Sequence, residues 1–322
     1  MKKVILLGLV CIACVWAGLT LGSEFLSPPE VVRLFFSDGG ARHTVFFKIR
    51  LPRVAVGFFV GAGLAIAGAA FQALLRNPLA ESYTLGISGG ASLGICIGIL
   101  AGADIFVPLC AFAGALLSVF IILSIGSRRH FSNPTLILLG VILNFVFSSF
   151  VLFLLALLRM EKFQETFFWL IGDLAYFPNG LFLPGMAAIF IACLLLFTFS
   201  GTLDVISMGE EKAQTLGTDV VKTRKTVFII ASFIVGICVS LGGMIGFVGL
   251  IVPHATRIVF GSAHRKVLPA CFILGGGMLV VADGAARSLI PPLEIPVGVI
   301  TGFFGGLFFL FLLMNTRRRT LW

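Results

Sequence analysis

The stretch LDVISMGEEKAQTLGTDVVKTRK, from Leu203 to Lys225, is a polar island in a chain that is otherwise almost continuously apolar. It places Glu210, Glu211 and Lys212 side by side. It is too polar to cross a lipid bilayer and too short to fold as a domain of its own. We therefore expect a structured segment outside the membrane that another protein can contact.

The composition around this island is that of a membrane protein. Apolar residues make up 59% of the 322 residues, charged residues only 11%, and the mean hydropathy is +1.12. The apolar runs are long and unbroken, unlike the short alternating strands of a barrel. The predicted fold class is an all-α polytopic membrane protein, with residues 1–322 forming one domain. The net charge of +9 suits nucleic acid, but the basic residues lie at segment ends, so we expect no nucleic-acid partner.

Ten membrane spans fit the hydropathy pattern. They are residues 4–22, 52–75, 84–102, 106–126, 134–158, 181–200, 225–243, 245–261, 267–283 and 295–314. Residues 225–261 form one apolar run that would extend about 55 Å as a single helix, far beyond a hydrocarbon core of ~30 Å. The run must fold back, and Gly242-Gly243 is the natural place. Residues 23–48 are predicted to be an external loop.

The distribution of basic residues predicts the orientation. An even number of spans puts both termini on one side, and a cytoplasmic N-terminus places 15 of the 23 Lys and Arg inside. The cytoplasmic set is Lys2, Lys3, Arg76, Arg128, Arg129, Lys212, Lys222, Arg224, Lys225, Arg257, Arg265, Lys266, Arg317, Arg318 and Arg319. This orientation puts the polar island, residues 203–225, in the cytoplasm and predicts a multi-pass membrane protein with both termini cytoplasmic.

Three arginines near the outer ends of spans, Arg50, Arg53 and Arg287, break the expected depletion of positive charge. One hypothesis is that these arginines form local ion pairs, because Asp283 and Arg287 are one helical turn apart. The other is that they form an electropositive outer rim, which receives an acidic partner. Position alone leaves both explanations open.

Glycines recur at four-residue spacing in two spans, which places them on one helix face and permits close backbone approach. The two sets, which we expect to pack helices or border a pathway, are Gly86, Gly90, Gly94 and Gly98, and Gly298, Gly302 and Gly306.

Some chemistry is missing from the sequence. Charges deep in the spans are nearly absent, whereas ion-coupled transporters usually carry intramembrane acids. No phosphate-binding loop of the G-x-x-x-x-G-K-[ST] type occurs, so ATP and Mg²⁺ would be bound by another chain. No zinc-ligand spacing occurs, and all seven cysteines lie in apolar runs. We expect no catalytic residue, no metal site and no cofactor in this chain.

Several motifs, in order along the chain, resemble the FecCD-type permeases of ATP-binding-cassette (ABC) importers. They are IRLPR (Ile49–Arg53), GAGLAIAGAAFQALLRNPLAE (Gly61–Glu81), LGISGGASLG (Leu85–Gly94), GEEKAQTLG (Gly209–Gly217), GFVGLIVPHATR (Gly246–Arg257), ADGAAR (Ala282–Arg287) and EIPVGVIT (Glu294–Thr301). The resemblance covers essentially the whole chain.

The resemblance implies a type II importer permease with ten spans per subunit. It also implies a homodimer around a central path, two cytoplasmic ATPase subunits and an external substrate-binding protein. The segment within residues 203–225 that would dock on the ATPase comprises Gly209, Glu210, Glu211, Ala213, Leu216 and Gly217. We also expect Ala213, Leu216, Ile206 and Met208 to form a small apolar ridge there. Arg50, Arg53 and Arg287 match the arginines that receive acidic residues of the binding protein.

The family imports ferric siderophores, haem or cobalamin, so the expected substrate is an iron chelate, with cobalamin as the alternative. A secondary transporter is a weaker alternative, because the chain lacks an evident intramembrane ion site. The sequence departs from the family pattern at Ser82 and Leu307, where Pro is common, and at Ala263, where Asp is frequent. Ala263 removes an expected local cap or ion pair, and Leu307 predicts a less kinked last span.

Overall fold

A computed structural model of the chain describes residues 2–36, 39–83, 85–128, 132–175 and 180–315. Thr84, which begins the third predicted span, and Arg129 and Arg317–Arg319 of the predicted cytoplasmic set lie outside these ranges. The α-helices of the described chain are α1 (Lys2–Thr20), α2 (Pro28–Phe36), α3 (Ala41–Val45), α4 (Leu51–Leu75), α5 (Ile87–Leu100), α6 (Val107–Arg128), α7 (Asn133–Leu157), α8 (Met160–Ile171), α9 (Phe182–Phe197), α10 (Ser200–Ser207), α11 (Glu210–Thr215), α12 (Val220–Gly242), α13 (Val248–Phe260), α14 (His264–Ser288) and α15 (Val297–Asn315).

Each of the ten predicted spans coincides with one helix of this set. Within the described ranges, five continuous helices are long and apolar enough to cross a membrane, and α9 with α10 makes a sixth that bends by 57°. The helices α1, α5, α13 and α15 are apolar but have shorter apolar stretches. The all-α membrane fold is therefore confirmed, while the count of ten spans stays a prediction.

The fold-back between the seventh and eighth spans is where the sequence placed it. Helix α12 ends at Gly242, and Gly243 has φ 68°, a left-handed conformation that glycine adopts without steric strain. A side chain at Gly243 would collide with the carbonyl oxygen of Trp169. The chain then runs without helix to Val248, where α13 begins. A single glycine therefore divides the long apolar run into two helices.

Two helices form the centre of the bundle. In the most apolar 18-residue stretch of each helix, 83% of the stretch in α4 and 72% of the stretch in α12 is buried. Helix α4 achieves this with small residues, because runs such as Gly61-Ala62-Gly63 and Ala67-Gly68-Ala69 let neighbouring backbones come close. Helix α7 is only 22% buried and lies at the periphery. Its large apolar residues need lipid or another chain to cover them.

The predicted external loop, residues 23–48, is largely helical. It contains α2 and α3, and a π-helical turn at Phe46–Arg50 leads directly into α4. Helix α8 was also absent from the predicted spans, and its Trp169 packs in a buried cluster with Ile95 and Ile99 of α5. Both segments are too polar for a span, so hydropathy alone did not reveal them.

The two ends of the bundle separate the predicted site residues. Helix α4 carries Arg53 near its start and is capped by Arg76 after its end, which separates them by about 35 Å at ~1.5 Å per residue. Lys3 donates a hydrogen bond to the carbonyl of Val259, at the end of α13. Gly18, towards the end of α1, accepts one from Arg287. The N-terminus therefore lies at the same end as Arg76, opposite the three arginines.

Candidate coupling site and buried ion cluster

The short helix α11 lies between two glycines in conformations that other residues rarely adopt. Gly209, before it, has φ 116°, and Gly217, after it, has φ 76°. Glu210 and Glu211 occupy the first turn, where the positive end of the helix dipole stabilises acidic side chains. Asp219 then caps α12 by accepting a hydrogen bond of 3.0 Å from the backbone N–H of Lys222. These features give the polar island a defined shape.

A charge pair ties α11 to the start of α12. The Arg224 guanidinium, only 2% exposed, donates a hydrogen bond of 2.7 Å to Oε1 of Glu210, whose side chain is 43% exposed. Arg76 lies 3.8 Å from the same oxygen. The hydrogen bond from Arg224, together with the charges of Arg224 and Arg76, holds the pKa of Glu210 below its usual range. Glu210 is therefore ionised at neutral pH and links three parts of the chain.

The predicted apolar ridge of α11 needs a correction. Ala213 and Ile206 are completely buried within the chain, so they offer nothing to a partner in this conformation. Met208 and Leu216 are 61% and 65% exposed. The difference follows from the helical turn, which directs Ala213 inward against the helix bundle. The exposed apolar surface of the segment is therefore the pair Met208 and Leu216, while the docking role of the segment stays a prediction.

At the opposite end, two of the three predicted rim arginines, Arg53 and Arg287, belong to a largely buried ion cluster. Arg53 donates a hydrogen bond of 3.0 Å to Asp283 and another of 2.6 Å to Glu294. Arg287 pairs with the other oxygen of Asp283 at 2.9 Å, and Asp173 lies 3.6 Å from Arg53. The predicted pairing of Asp283 with Arg287 is therefore present. The cluster joins α4, α14 and the segments that follow α8 and α14.

Arg50 is satisfied in a different way. It is 6% exposed and donates hydrogen bonds to the backbone carbonyls of Leu19 at 2.9 Å and Glu24 at 2.6 Å. Arg53 and Arg287 are each 4% exposed. The three guanidinium groups thus have partners from their own chain, and a docking partner would have to reach or displace these contacts. Their docking role stays a prediction.

Two buried contacts near the break between α12 and α13 were not predicted from the sequence. Glu81 accepts a hydrogen bond from the backbone N–H of Phe247, which has φ 66°, and the Tyr83 hydroxyl accepts one of 3.0 Å from Ile245. Ser82, at the position where the family commonly has Pro, donates to the carbonyl of Leu64 at 2.8 Å. In the sequence, the only indication of a role for Glu81 is that it is a single acidic residue after the apolar run of residues 52–75. These residues hold the start of α13.

A third contact replaces the helix cap that Ala263, at the start of α14, lacks. His264, the first residue of α14, donates its backbone N–H to Oδ1 of Asp204 at 2.8 Å, and its ring Nδ1 lies 2.6 Å from the same oxygen. Asp204 of α10 therefore supplies the helix cap that Ala263 cannot. The predicted loss of a local cap was right, and a side chain from 60 positions earlier replaces it.

The two sets of glycines behave differently. A Cβ at Gly90 or Gly94 would lie closer than 3.0 Å to a carbonyl oxygen of α6, which is closer than real Cβ atoms come. Gly98 also faces α6, whereas Gly86 precedes α5 with φ 75° and faces α7. In α15, Gly298 lies against the carbonyl of Ile171, but Gly302 has open space and Gly306 only touches Phe247. Close packing therefore applies to α5 and to the start of α15.

The similarity of this chain to known proteins extends over nearly its whole length. The model of the FecCD transport family matches residues 9–315. The chain belongs to the FecCD transport family. It is therefore an ABC importer permease, a membrane component of a class of importers in which a separate ATPase subunit hydrolyses ATP.

Two relatives and one solved structure show how far the likeness extends. The cobalamin import system permease protein BtuC of Halobacterium salinarum is 37% identical over 95% of this chain and 81% of its own. The iron(3+)-hydroxamate import system permease protein FhuG of Bacillus subtilis is 32% identical over 95% of each. A solved structure assigned to a metal-chelate type ABC transporter, in an inward-facing conformation, superimposes with TM-score 0.89 at 28% identity, covering 98% of this chain and 99% of the other. This FecCD permease thus shares its whole architecture with that type II fold.

Proposed function

We propose that this FecCD permease forms the membrane pathway of an ABC importer that carries an iron chelate, a ferric siderophore or haem, across the plasma membrane. An external substrate-binding protein would deliver the chelate, and two cytoplasmic ATPase subunits would drive a homodimer of this chain. Both termini and the island 203–225 would be cytoplasmic, in agreement with the basic residues at that end.

The observation that carries the coupling role is the construction of α11. Met208 before the helix and Leu216 after it offer an exposed apolar contact, and Glu211 and Lys212 of the helix are exposed charges that can orient a partner. Its buried face is fixed to the membrane helices through Ala213 and the pair Glu210–Arg224. A partner that pushes on α11 would therefore push on α12. Rigid-body tilting of helices is a common way to switch between open states.

Cobalamin is the second candidate, because a relative that is 37% identical is a cobalamin permease. The iron chelate is supported by a relative that is 32% identical and is a hydroxamate permease. Both ligands are bulky metal chelates, which suits a pathway with few charged groups. A secondary transporter is less well supported. Such a protein would need its own ion site and would work without an ATPase.

The deciding experiment is reconstitution of the permease with its ATPase and binding protein in lipid vesicles. Ferric hydroxamate, haem and cobalamin would each be loaded on the binding protein, and ATP hydrolysis and uptake would be measured. We expect one chelate class to stimulate both. Uptake without the ATPase would contradict the proposal, and stimulation by cobalamin alone would replace the iron chelate with the second candidate.

A further inference from the structure

The cytoplasmic end of the bundle contains a cavity of about 600 Å³ beside α11. Its wall combines the end of α4, the end of α10, α13 and the start of α14. The polar residues on this wall are Gln72, Arg76, Asp204, Ser207, Arg257, Ser262 and His264. A volume of several hundred Å³ is typical of a small-molecule site and much larger than one side chain needs.

The charges on the wall favour an anion. The side chain of Arg257 hydrogen-bonds Gln72, and no carboxylate of the described residues forms an ion pair with it. Among the described residues, Arg76 forms an ion pair only with Glu210, at 3.8 Å, and its side chain is 43% exposed. Asp204 is the carboxylate on the described wall, and it is already held by His264. Two guanidinium groups and one carboxylate therefore line this space, so its wall carries a net positive charge.

His264 forms a fixed part of the same wall. Its side chain is 3% exposed, and its Nδ1 lies 2.6 Å from Oδ1 of Asp204, so the ring cannot turn away without losing that contact. Its Nε2 is enclosed by the chain and has no hydrogen-bond partner among the described residues. The imidazole therefore shapes the wall, and the two guanidinium groups supply the contacts to a ligand.

We propose that this cavity is a binding site for a phosphate group, held by Arg76 and Arg257 with His264 at its wall. Guanidinium groups bind phosphate through paired, charge-assisted hydrogen bonds, which suits two arginines on neighbouring helices. The phosphate has two possible sources, a free cytoplasmic phosphate and the headgroup of an anionic lipid. A bound phosphate would also compete with Glu210 for Arg76. The proposal does not depend on which chelate is carried.

The test uses the full chain purified in a neutral detergent. Its unfolding temperature would be followed while inorganic phosphate, or short-chain phosphatidylglycerol, is added at constant ionic strength. Short-chain phosphatidylcholine and sodium chloride are the reference additions. We expect a saturable rise with one or both phosphate probes and none with sodium chloride. A rise with phosphatidylglycerol alone would identify the lipid as the source, and a rise with inorganic phosphate would identify the free anion.

Arg76→Gln and Arg265→Gln form a matched pair of variants. Arg265 is exposed at the same end of the molecule and does not line the cavity, so its loss removes the same charge without touching the site. We expect Arg76→Gln to raise the half-saturating phosphate concentration about tenfold, as the loss of a charge-assisted contact does. Arg265→Gln should leave it unchanged. Equal responses of the two variants would overturn the proposal, because they would indicate general screening of a basic surface.

The same titration, repeated on the permease bound to its ATPase, shows whether the cavity holds a phosphate or a side chain of the ATPase. We expect phosphate binding to persist when the ATPase is bound. If the ATPase abolishes it, an acidic residue of that subunit occupies the cavity, and the phosphate site is refuted for the working transporter. Because the first titration needs neither ATP nor substrate, its failure is distinct from a failure of the import assay.

Discussion

Arg224, near the start of α12, donates a 2.7 Å hydrogen bond to Glu210 in the first turn of α11, and so joins α11 to the largely buried helix α12. Arg224 is 2% exposed at this contact, whereas Glu210 is 43% exposed. The pair lies between the exposed segment that is proposed to contact an ATPase and the helix bundle. Its geometry makes it the first place to test the proposed coupling.

Replacing Glu210 with Ala should loosen this junction. We expect a loss of stability of about 1 kcal/mol, because solvent screens a pair in which one partner is partly exposed. We also expect a larger loss in chelate-stimulated ATP hydrolysis than in folding. Glu211→Ala is the matched control for stability, since Glu211 is an exposed neighbour of the same type. Thermal unfolding and ATPase assays measure the two effects. An equal loss of thermal stability in the two variants would show that the Glu210–Arg224 pair does not stabilise the junction.

The same pair should give stability a defined dependence on pH. The pKa of Glu210 is lowered in the folded chain by Arg224 and Arg76. Its contribution is therefore complete above the unfolded carboxyl pKa of about 4.3, and it is lost as the pH falls through the lower folded value. We expect the difference in unfolding temperature between wild type and Glu210→Gln to be constant from about pH 8 to about pH 5 and to shrink below that. A difference that disappears near pH 7 would contradict this assignment.

Substitutions at Leu216 and Ala213 should distinguish an effect on ATPase binding from an effect on folding. Leu216 is 65% exposed and Ala213 is completely buried. Leu216→Ser should weaken ATPase binding about tenfold or more, since burial of a leucine contributes about 1.5–3 kcal/mol, and should leave thermal stability unchanged. Ala213→Leu should lower stability by about 1–3 kcal/mol through overpacking. Co-purification and thermal unfolding measure these outcomes, and unchanged ATPase binding in Leu216→Ser would exclude the exposed face of α11.

Local sequence patterns were enough to predict the ten apolar helices that match the predicted spans, and the reversal at Gly243, but not α2, α3 or α8. Apolar length, the paired glycines and the polar island each act within about 20 residues, the range over which a helix forms and ends. The predicted membrane class and family followed from the same patterns. The burial of Ala213 was missed, because the motif gave no information about which face of α11 turns inward.

Contacts between distant residues could not be predicted in this way. Asp204 caps α14 at His264, Glu81 holds Phe247, and Arg53 meets Asp283 from 230 positions away. Each pair depends on how whole helices pack, and no local spacing encodes it. The sequence therefore predicted three outer arginines and offered the local pair of Arg287 with Asp283, but it could not predict the contacts of Arg53 with Asp283, Glu294 and Asp173.

The buried ion cluster should contribute far more to stability than an exposed pair at the same end. Removing one partner of a buried pair costs about 3–5 kcal/mol, because the remaining charges stay buried. We expect this loss for Arg53→Gln, since Arg53 contacts Asp283 and Glu294. Arg42→Gln is the control. Its 2.8 Å contact with Glu24 is exposed on both sides and should contribute less than about 1 kcal/mol.

This comparison also controls any test of docking. If Arg53→Gln unfolds the protein, weaker association with a binding protein says nothing about direct contact. Asp283→Asn should then destabilise the chain as well, although it removes no positive charge. A stable, fully folded Arg53→Gln variant that still loses the binding protein would favour docking over a structural role.

The glycines of α5 and α15 offer a last comparison, because the sequence assigned the same role to both sets. A Cβ at Gly94 would collide with the backbone carbonyl of Cys110 on α6, whereas a Cβ at Gly302 meets nothing within 4 Å. Backbone atoms cannot turn aside as side chains can, so Gly94→Ala should push α5 and α6 apart and lower stability by about 1–3 kcal/mol. Gly302→Ala should be neutral or slightly stabilising, because alanine has the higher helix propensity. Thermal unfolding of the two variants checks the contrast. A destabilising Gly302→Ala would mean that this face of α15 is covered in the assembled transporter, where a second copy of the chain could lie against it.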